Sequence, residues 1–106
     1  MTSEQMEAVI QQVVAKHVDV NTSLVFLFGS RAEGQSRLSS DYDVGLYGRH
    51  PVSLMTMAKI KDELEEYPFP VDVDVVDFAT VSEGFKQLAL KTVKVWNRPK
   101  NDFTLT

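Results

Sequence analysis

Apolar residues recur at helical spacing near the start of the chain: Met6, Val9, Ile10, Val13 and Val14. Side chains three and four apart share one helix face, so this stretch predicts a helix over residues 3–17. Thr2 and Gln5 form a capping-box pattern ahead of it, and Asp19 and Asn21 break it. Leu24 to Phe28 has no polar position and predicts a strand buried on both faces. From Asp41 to Tyr47 the period drops to two: Tyr42, Val44 and Leu46 share one face, Asp41, Asp43 and Gly45 the other. That is a second strand, followed by a turn over Gly48 to Pro51.

A second helix is expected over 53–66, with Leu54, Met57, Ile60 and Leu64 inward and Asp62, Glu63, Glu65 and Glu66 outward. Pro68 and Pro70 stop it. Val71 to Val75 alternates strictly, giving a third strand with valines on one face and Asp72 and Asp74 on the other. Thr80 and Glu83 read as a second capping box that opens a helix to about Lys91, and Val93, Val95 and Trp96 suggest a short closing strand. The order α-β-β-α-β-α with alternating strands indicates a two-layer α+β fold, with helices on one face of the sheet and something else on the other.

The chain has 106 residues, 43% of them hydrophobic and 25% charged. One domain over 1–106 fits that length, with an N-terminal helical region 1–20, a core 24–96 and a tail 97–106. The net charge of −4 argues against direct nucleic-acid binding, which needs a basic footprint. The absence of cysteine excludes disulfides and thiolate metal sites. No apolar run is long enough to cross a bilayer, and Glu4 and Glu7 at the start are unlike a signal peptide. A soluble cytoplasmic domain is the expectation.

The polar sheet face carries the chemistry. Asp41 and Asp43 point the same way from one strand, about 7 Å apart, and Asp72 and Asp74 do so from another. Carboxylates about 6 Å apart repel by roughly 3 kcal/mol per pair at an effective dielectric of 20. A divalent cation among them would offset that, and oxygen ligands without His or Cys indicate Mg²⁺ or Mn²⁺. Two such ions suit in-line phosphoryl chemistry. Just upstream, Gly29-Ser30-Arg31 ends a buried strand: glycine lets backbone amides approach a phosphate, serine adds a donor, and arginine is a fork-shaped phosphate partner. Periodicity alone does not choose between Asp72 and Asp74 as third carboxylate, since both face the same way.

Gly29-Ser30, ten residues, then Asp41-Tyr42-Asp43 resembles the GS-x10-DxD signature of the polymerase-β-like nucleotidyltransferase superfamily. Leu27 to Gly34, Ser40 to Val44 and Val73 to Thr80 are similar to three of its blocks in order and spacing. Length and context look like its minimal nucleotidyltransferase (MNT) branch. The resemblance implies a small mixed sheet with helices on one face. It also implies that Asp41 and Asp43 bind Mg²⁺, that Asp74 is the third carboxylate, and that Gly29, Ser30 and Arg31 contact the nucleotide triphosphate. MNT proteins are commonly paired with a small all-helical HEPN-domain partner as toxin and antitoxin, and characterised members transfer AMP from ATP to a tyrosine of the toxin. A homo- or hetero-oligomer is the corresponding expectation.

Two residues depart from that pattern: Asp72 adds a carboxylate, and Glu33 puts an acid inside the phosphate loop. Asp77 falls out of phase with Asp72 and Asp74 and suits a structural role before the next helix. Arg37 is a weaker phosphate candidate than Arg31. His17 and His50 read as surface residues, and Trp96 as core or edge. After residue 85 the charges become basic, with Lys86, Lys91, Lys94, Arg98 and Lys100 against Asp102. That end could dock an acidic partner or be solvated tail. The leading expectation is an enzyme that transfers AMP to a hydroxyl of a partner protein. A non-catalytic antitoxin that covers its partner, or a small-molecule nucleotidyltransferase, are the alternatives.

Overall fold

A computed structural model describes residues 1–34 and 40–100. Helix α1 spans Ser3–His17, strand β1 Leu24–Phe28, β2 Tyr42–Tyr47, helix α2 Leu54–Glu65, β3 Val73–Asp77, α3 Glu83–Ala89 and β4 Lys94–Asn97. The sheet order is β3-β2-β1-β4. β1 runs antiparallel to both β2 and β4, whereas β2 and β3 are parallel. A parallel pair needs a crossover, and α2 supplies it. The result is the expected small mixed sheet in an α+β fold.

The capping box at α1 forms in both directions: Thr2 Oγ1 accepts from the Gln5 amide at 3.1 Å and Gln5 Oε1 accepts from the Thr2 amide at 2.8 Å. Met6, Ile10, Val13 and Val14 of α1, with Ile60 and Leu64 of α2, cover one sheet face through Val25, Leu27, Tyr42, Val44, Leu46 and Val75. The opposite face holds Leu24, Phe26, Phe28 and Phe78, and Ala89 of the short α3 and its C-cap Leu90 pack at its rim. Gly45 is required there, because the Phe26 ring lies on its Cα and a side chain would overlap it.

Two expected boundaries move. β3 begins at Val73, two residues later than the alternation suggested, because pairing with β2 starts at Tyr42 opposite Val73. A shift of two keeps every side chain on its predicted face. The last helix is capped by Ser82, whose side chain accepts from the Phe85 amide at 3.2 Å, and not by Thr80. Thr80 is used one turn earlier, its hydroxyl donating to the Asp77 carbonyl at 3.0 Å. Asp77 is buried and holds that turn, accepting from the Ala79 amide at 2.9 Å and the Val52 amide at 2.7 Å. It thereby ties the end of β3 to the entry of α2.

Candidate active site

Three strands set one row of residues across the sheet. Phe28, the last residue of β1, pairs with Asp43 of β2, and Asp43 pairs with Asp74 of β3. Gly29 follows Phe28 with φ +75°, a conformation that favours glycine. The Asp43 carboxylate lies so close over Gly29 that a Cβ there would overlap Oδ2. The Gly29 carbonyl accepts from the Ala32 and Glu33 amides at 3.1 and 3.2 Å, closing a tight turn that leaves Ser30 exposed. Glycine and the central aspartate are therefore brought together by the β1–β2 pairing itself, with Ser30 next along the chain.

The other carboxylates flank this row. Asp41 precedes β2 and its Oδ1 accepts from the Asp72 amide at 3.2 Å, while the Tyr42 amide donates to the Asp72 carbonyl at 3.0 Å. All four aspartates line one cleft of about 640 Å³, which continues past β3 to Lys61, Glu65, Tyr67 and Phe69. The Asp43 carboxyl is held above the ordinary carboxylate range, first by burial, then by the charges of Asp74 and Asp41. Among the described residues, no three acidic or histidine side chains stand in a metal-holding arrangement. The donor chemistry still suits a hard divalent cation, since the cleft offers carboxylate oxygens without sulfur or imidazole. A cation beside Asp43 would relieve the repulsion that raises its pKa.

Comparison with known proteins bears on this arrangement. The polymerase β nucleotidyltransferase family matches residues 8–100, nearly the whole chain. The chain belongs to that family. Among its relatives is the probable protein adenylyltransferase MntA of Haemophilus influenzae, 29% identical over 90 residues, which are 85% of this chain and 74% of MntA. A solved protein assigned as a minimal nucleotidyltransferase is 27% identical, with a TM-score of 0.63 over 88% of this chain and 94% of its own. The fold also matches a Shewanella oneidensis complex of tri-AMPylated HEPN toxin with MNT antitoxin. There the TM-score is 0.68 at 19% identity, over 92% of this chain and 74% of the matched one. The fold class expected from the chain's motifs stands.

One expected nucleotide contact is not brought to the carboxylates of this nucleotidyltransferase. Arg31 lies over the Tyr42 ring, 3.9 Å from its centroid, on the face covered by α1. Its Nε donates to the Ser40 carbonyl at 2.9 Å and its Nη1 to the Tyr42 hydroxyl at 3.2 Å, which in turn lies 3.3 Å from Glu7 Oε2. Arg31 therefore braces the two ends of the loop from behind. The cause is the parity of β2: Tyr42 points opposite to Asp41 and Asp43, and the guanidinium follows the aromatic ring. Glu33 is exposed, and Arg37 and Asp102 lie outside the described residues.

His17 is not a plain surface residue, since its Nε2 lies 3.0 Å from Glu63 Oε1 and joins α1 to α2. Lys61, Glu65, Tyr67 and Phe69 also line the cleft. Their only mark in the sequence is the pair of aromatics interleaved with Pro68 and Pro70, just ahead of the aspartate strand. Among the described residues no helix is long and apolar enough to cross a membrane.

Proposed function

We propose that this nucleotidyltransferase moves AMP from ATP to a tyrosine hydroxyl of a small all-helical HEPN-type partner, in the cytoplasm and within a hetero-oligomeric complex. The observation that carries the reading is the pairing of Asp43 with Asp74 on adjacent strands, with Gly29, the residue after β1, lying against the Asp43 carboxylate. Gly29 and Ser30 seat the triphosphate through backbone amides and a hydroxyl. Arg31 ties the Gly29 turn to Ser40 and Tyr42 from the other side of the sheet. Asp41 and Asp43, with Asp74 beside them, hold Mg²⁺ (or Mn²⁺), which when bound supplies charge neutralisation at the reacting phosphate. Asp74 takes the proton from the acceptor hydroxyl. The acceptor oxygen then bonds to the α-phosphorus, the bond to the bridging oxygen breaks, and pyrophosphate leaves from the Gly29–Ser30 turn. The kinship with MntA and the likeness to an AMPylated HEPN–MNT complex support AMP as the group and a HEPN protein as the acceptor.

The test uses a HEPN-domain protein as the acceptor. With ATP and Mg²⁺ the wild type should raise its mass by about 329 Da per AMP, the increment of adenylyl transfer itself. Asp43→Asn should add none. Should Asp43→Asn still protect cells as well as wild type, neutralisation is by binding, and the non-catalytic antitoxin reading replaces this one.

A further inference from the structure

A chain of polar contacts crosses the molecule on the sheet face away from the carboxylates. Tyr42 stands between Asp41 and Asp43 in sequence but points the other way, and it is fully buried in the core under α1. Its hydroxyl accepts from Arg31 Nη1 at 3.2 Å. Within reach of the same hydroxyl are Glu7 Oε2 at 3.3 Å and the Ser3 carbonyl at 3.5 Å. Glu7 belongs to α1, and its other oxygen, Oε1, lies 3.5 Å from Lys94 Nζ of β4. Helix α1, strand β2 and strand β4 thus meet behind Arg31.

The direction of these bonds decides what each group does. A tyrosine hydroxyl has one proton to give. The Glu7 carboxylate is both the nearer and the charged acceptor, so the proton goes to it and the oxygen lone pairs are left facing the guanidinium. In a buried setting the two bonds strengthen each other. Lys94 is 60% exposed, and an ion pair so open to solvent contributes little. Glu7 therefore acts mainly through Tyr42.

What Tyr42 holds is Arg31, flat on its ring at 3.9 Å and bonded through Nε to the Ser40 carbonyl at 2.9 Å. Ser30 precedes Arg31 and Asp41 follows Ser40, so this bond ties the triphosphate turn to the first carboxylate. Arg31 also follows closely on Gly29, against which the Asp43 carboxylate rests. A guanidinium released from the ring has those carboxylates as its strongest fork-shaped partners. There it competes with a divalent cation for the same oxygens.

We infer that Glu7 is a positioning residue for nucleotidyl transfer: through the Tyr42 hydroxyl it keeps Arg31 on the helical face of the sheet and so leaves Asp41 and Asp43 to the cation. This rests on the proposed metal-holding role of Asp41 and Asp43. Glu7 lies ahead of every segment that carries the nucleotidyltransferase motifs. Its part is visible only where α1 crosses behind β2.

Two measurements on the full chain test this, the first without metal. In ¹H–¹⁵N spectra the Arg31 Nε–H resonance should be shifted upfield by the Tyr42 ring and exchange slowly with water. Glu7→Ala should move it toward the position of a free arginine, whereas Glu7→Gln, which keeps an oxygen for the hydroxyl, should hold it in place. In the second, Mn²⁺ is titrated in the presence of AMP-PNP. Glu7→Ala should raise the apparent metal dissociation constant about three- to tenfold, the scale of one hydrogen bond, and Lys94→Met should leave it unchanged. In an Arg31→Met background Glu7→Ala should add nothing, because residues that act through one network are not additive. The inference is overturned if the Arg31 resonance is the same in Glu7→Ala as in wild type, if Glu7→Ala binds Mn²⁺ as tightly as wild type, or if its effect persists without Arg31. A wild type that binds no Mn²⁺ overturns it together with the metal-site reading; any of the other three results overturns it alone.

Discussion

Asp43 and Asp74 occupy directly opposed positions on the parallel strands β2 and β3. Their side chains face one cleft, and the charge of Asp74 is among the causes that raise the Asp43 pKa, whereas that of Asp72 is not. Asp72 stands one pleat repeat back, where its amide is bound by Asp41. The strand register therefore separates two aspartates that share a face.

That register predicts unequal mutants. Asp74→Asn should leave AMP-PNP affinity nearly intact and slow the single-turnover chemical step by roughly 10²–10⁴-fold, the range for a positioned general base. Asp72→Asn should leave that step close to wild type. Rapid-quench rates of both variants decide it. A dead Asp72→Asn with a competent Asp74→Asn would reverse the two roles.

The raised Asp43 pKa has a stability consequence. The folded protein keeps this proton at pH values where the unfolded chain, with a pKa of about 3.9, has lost it. Its contribution is full below the unfolded pKa and is lost as pH rises through the folded one. Metal-free Asp43→Asn should therefore melt a few degrees above wild type at pH 7, and the difference should vanish near pH 4. Mg²⁺ should raise the wild-type Tm and leave that of the variant unchanged. Equal melting temperatures at pH 7 would remove the account of Asp43 as an uncompensated charge.

Gly29→Ala tests the approach of loop and carboxylate. A side chain at φ +75° costs about 1–2 kcal/mol, and the new Cβ must displace the Asp43 carboxylate. Scanning calorimetry should show a Tm lower by several degrees, and Mg²⁺-dependent AMP-PNP binding should fall with it. Unchanged nucleotide affinity would place the triphosphate elsewhere.

Arg31→Lys distinguishes a brace from a ligand. Lysine cannot donate to both the Ser40 carbonyl and the Tyr42 hydroxyl while lying flat on the ring. Stability should drop by about 1–2 kcal/mol in urea unfolding, with AMP-PNP affinity changed less than about threefold. The reverse outcome, intact stability with collapsed affinity, would make Arg31 a triphosphate contact.

Much of this molecule is written in local pattern. The capping box at Thr2 and Gln5, the fully apolar β1 and the period-two strands β2 and β3 depend on neighbours within a few residues. So do the motif residues Gly29, Ser30, Asp41 and Asp43, whose spacing is visible along the chain. Alternation also put Asp72 and Asp74 on one face, and the two-residue displacement of β3 left that intact because the period is two. What alternation lacks is register. Only pairing across β2 and β3 sets Asp74 against Asp43. Nor does any local rule say which way an arginine folds after a turn: Arg31 follows Tyr42 because the sheet has two faces and the ring lies on the helical one. The helix cap behaved alike, since Thr80 and Ser82 are both competent and the buried Asp77 turn recruited Thr80. Tyr67 and Phe69 join the cleft only because the crossover through α2 returns the chain beside the edge of β3. Sequence determines side-chain periodicity and chemistry within a segment; the distances between segments exist only once the sheet has closed.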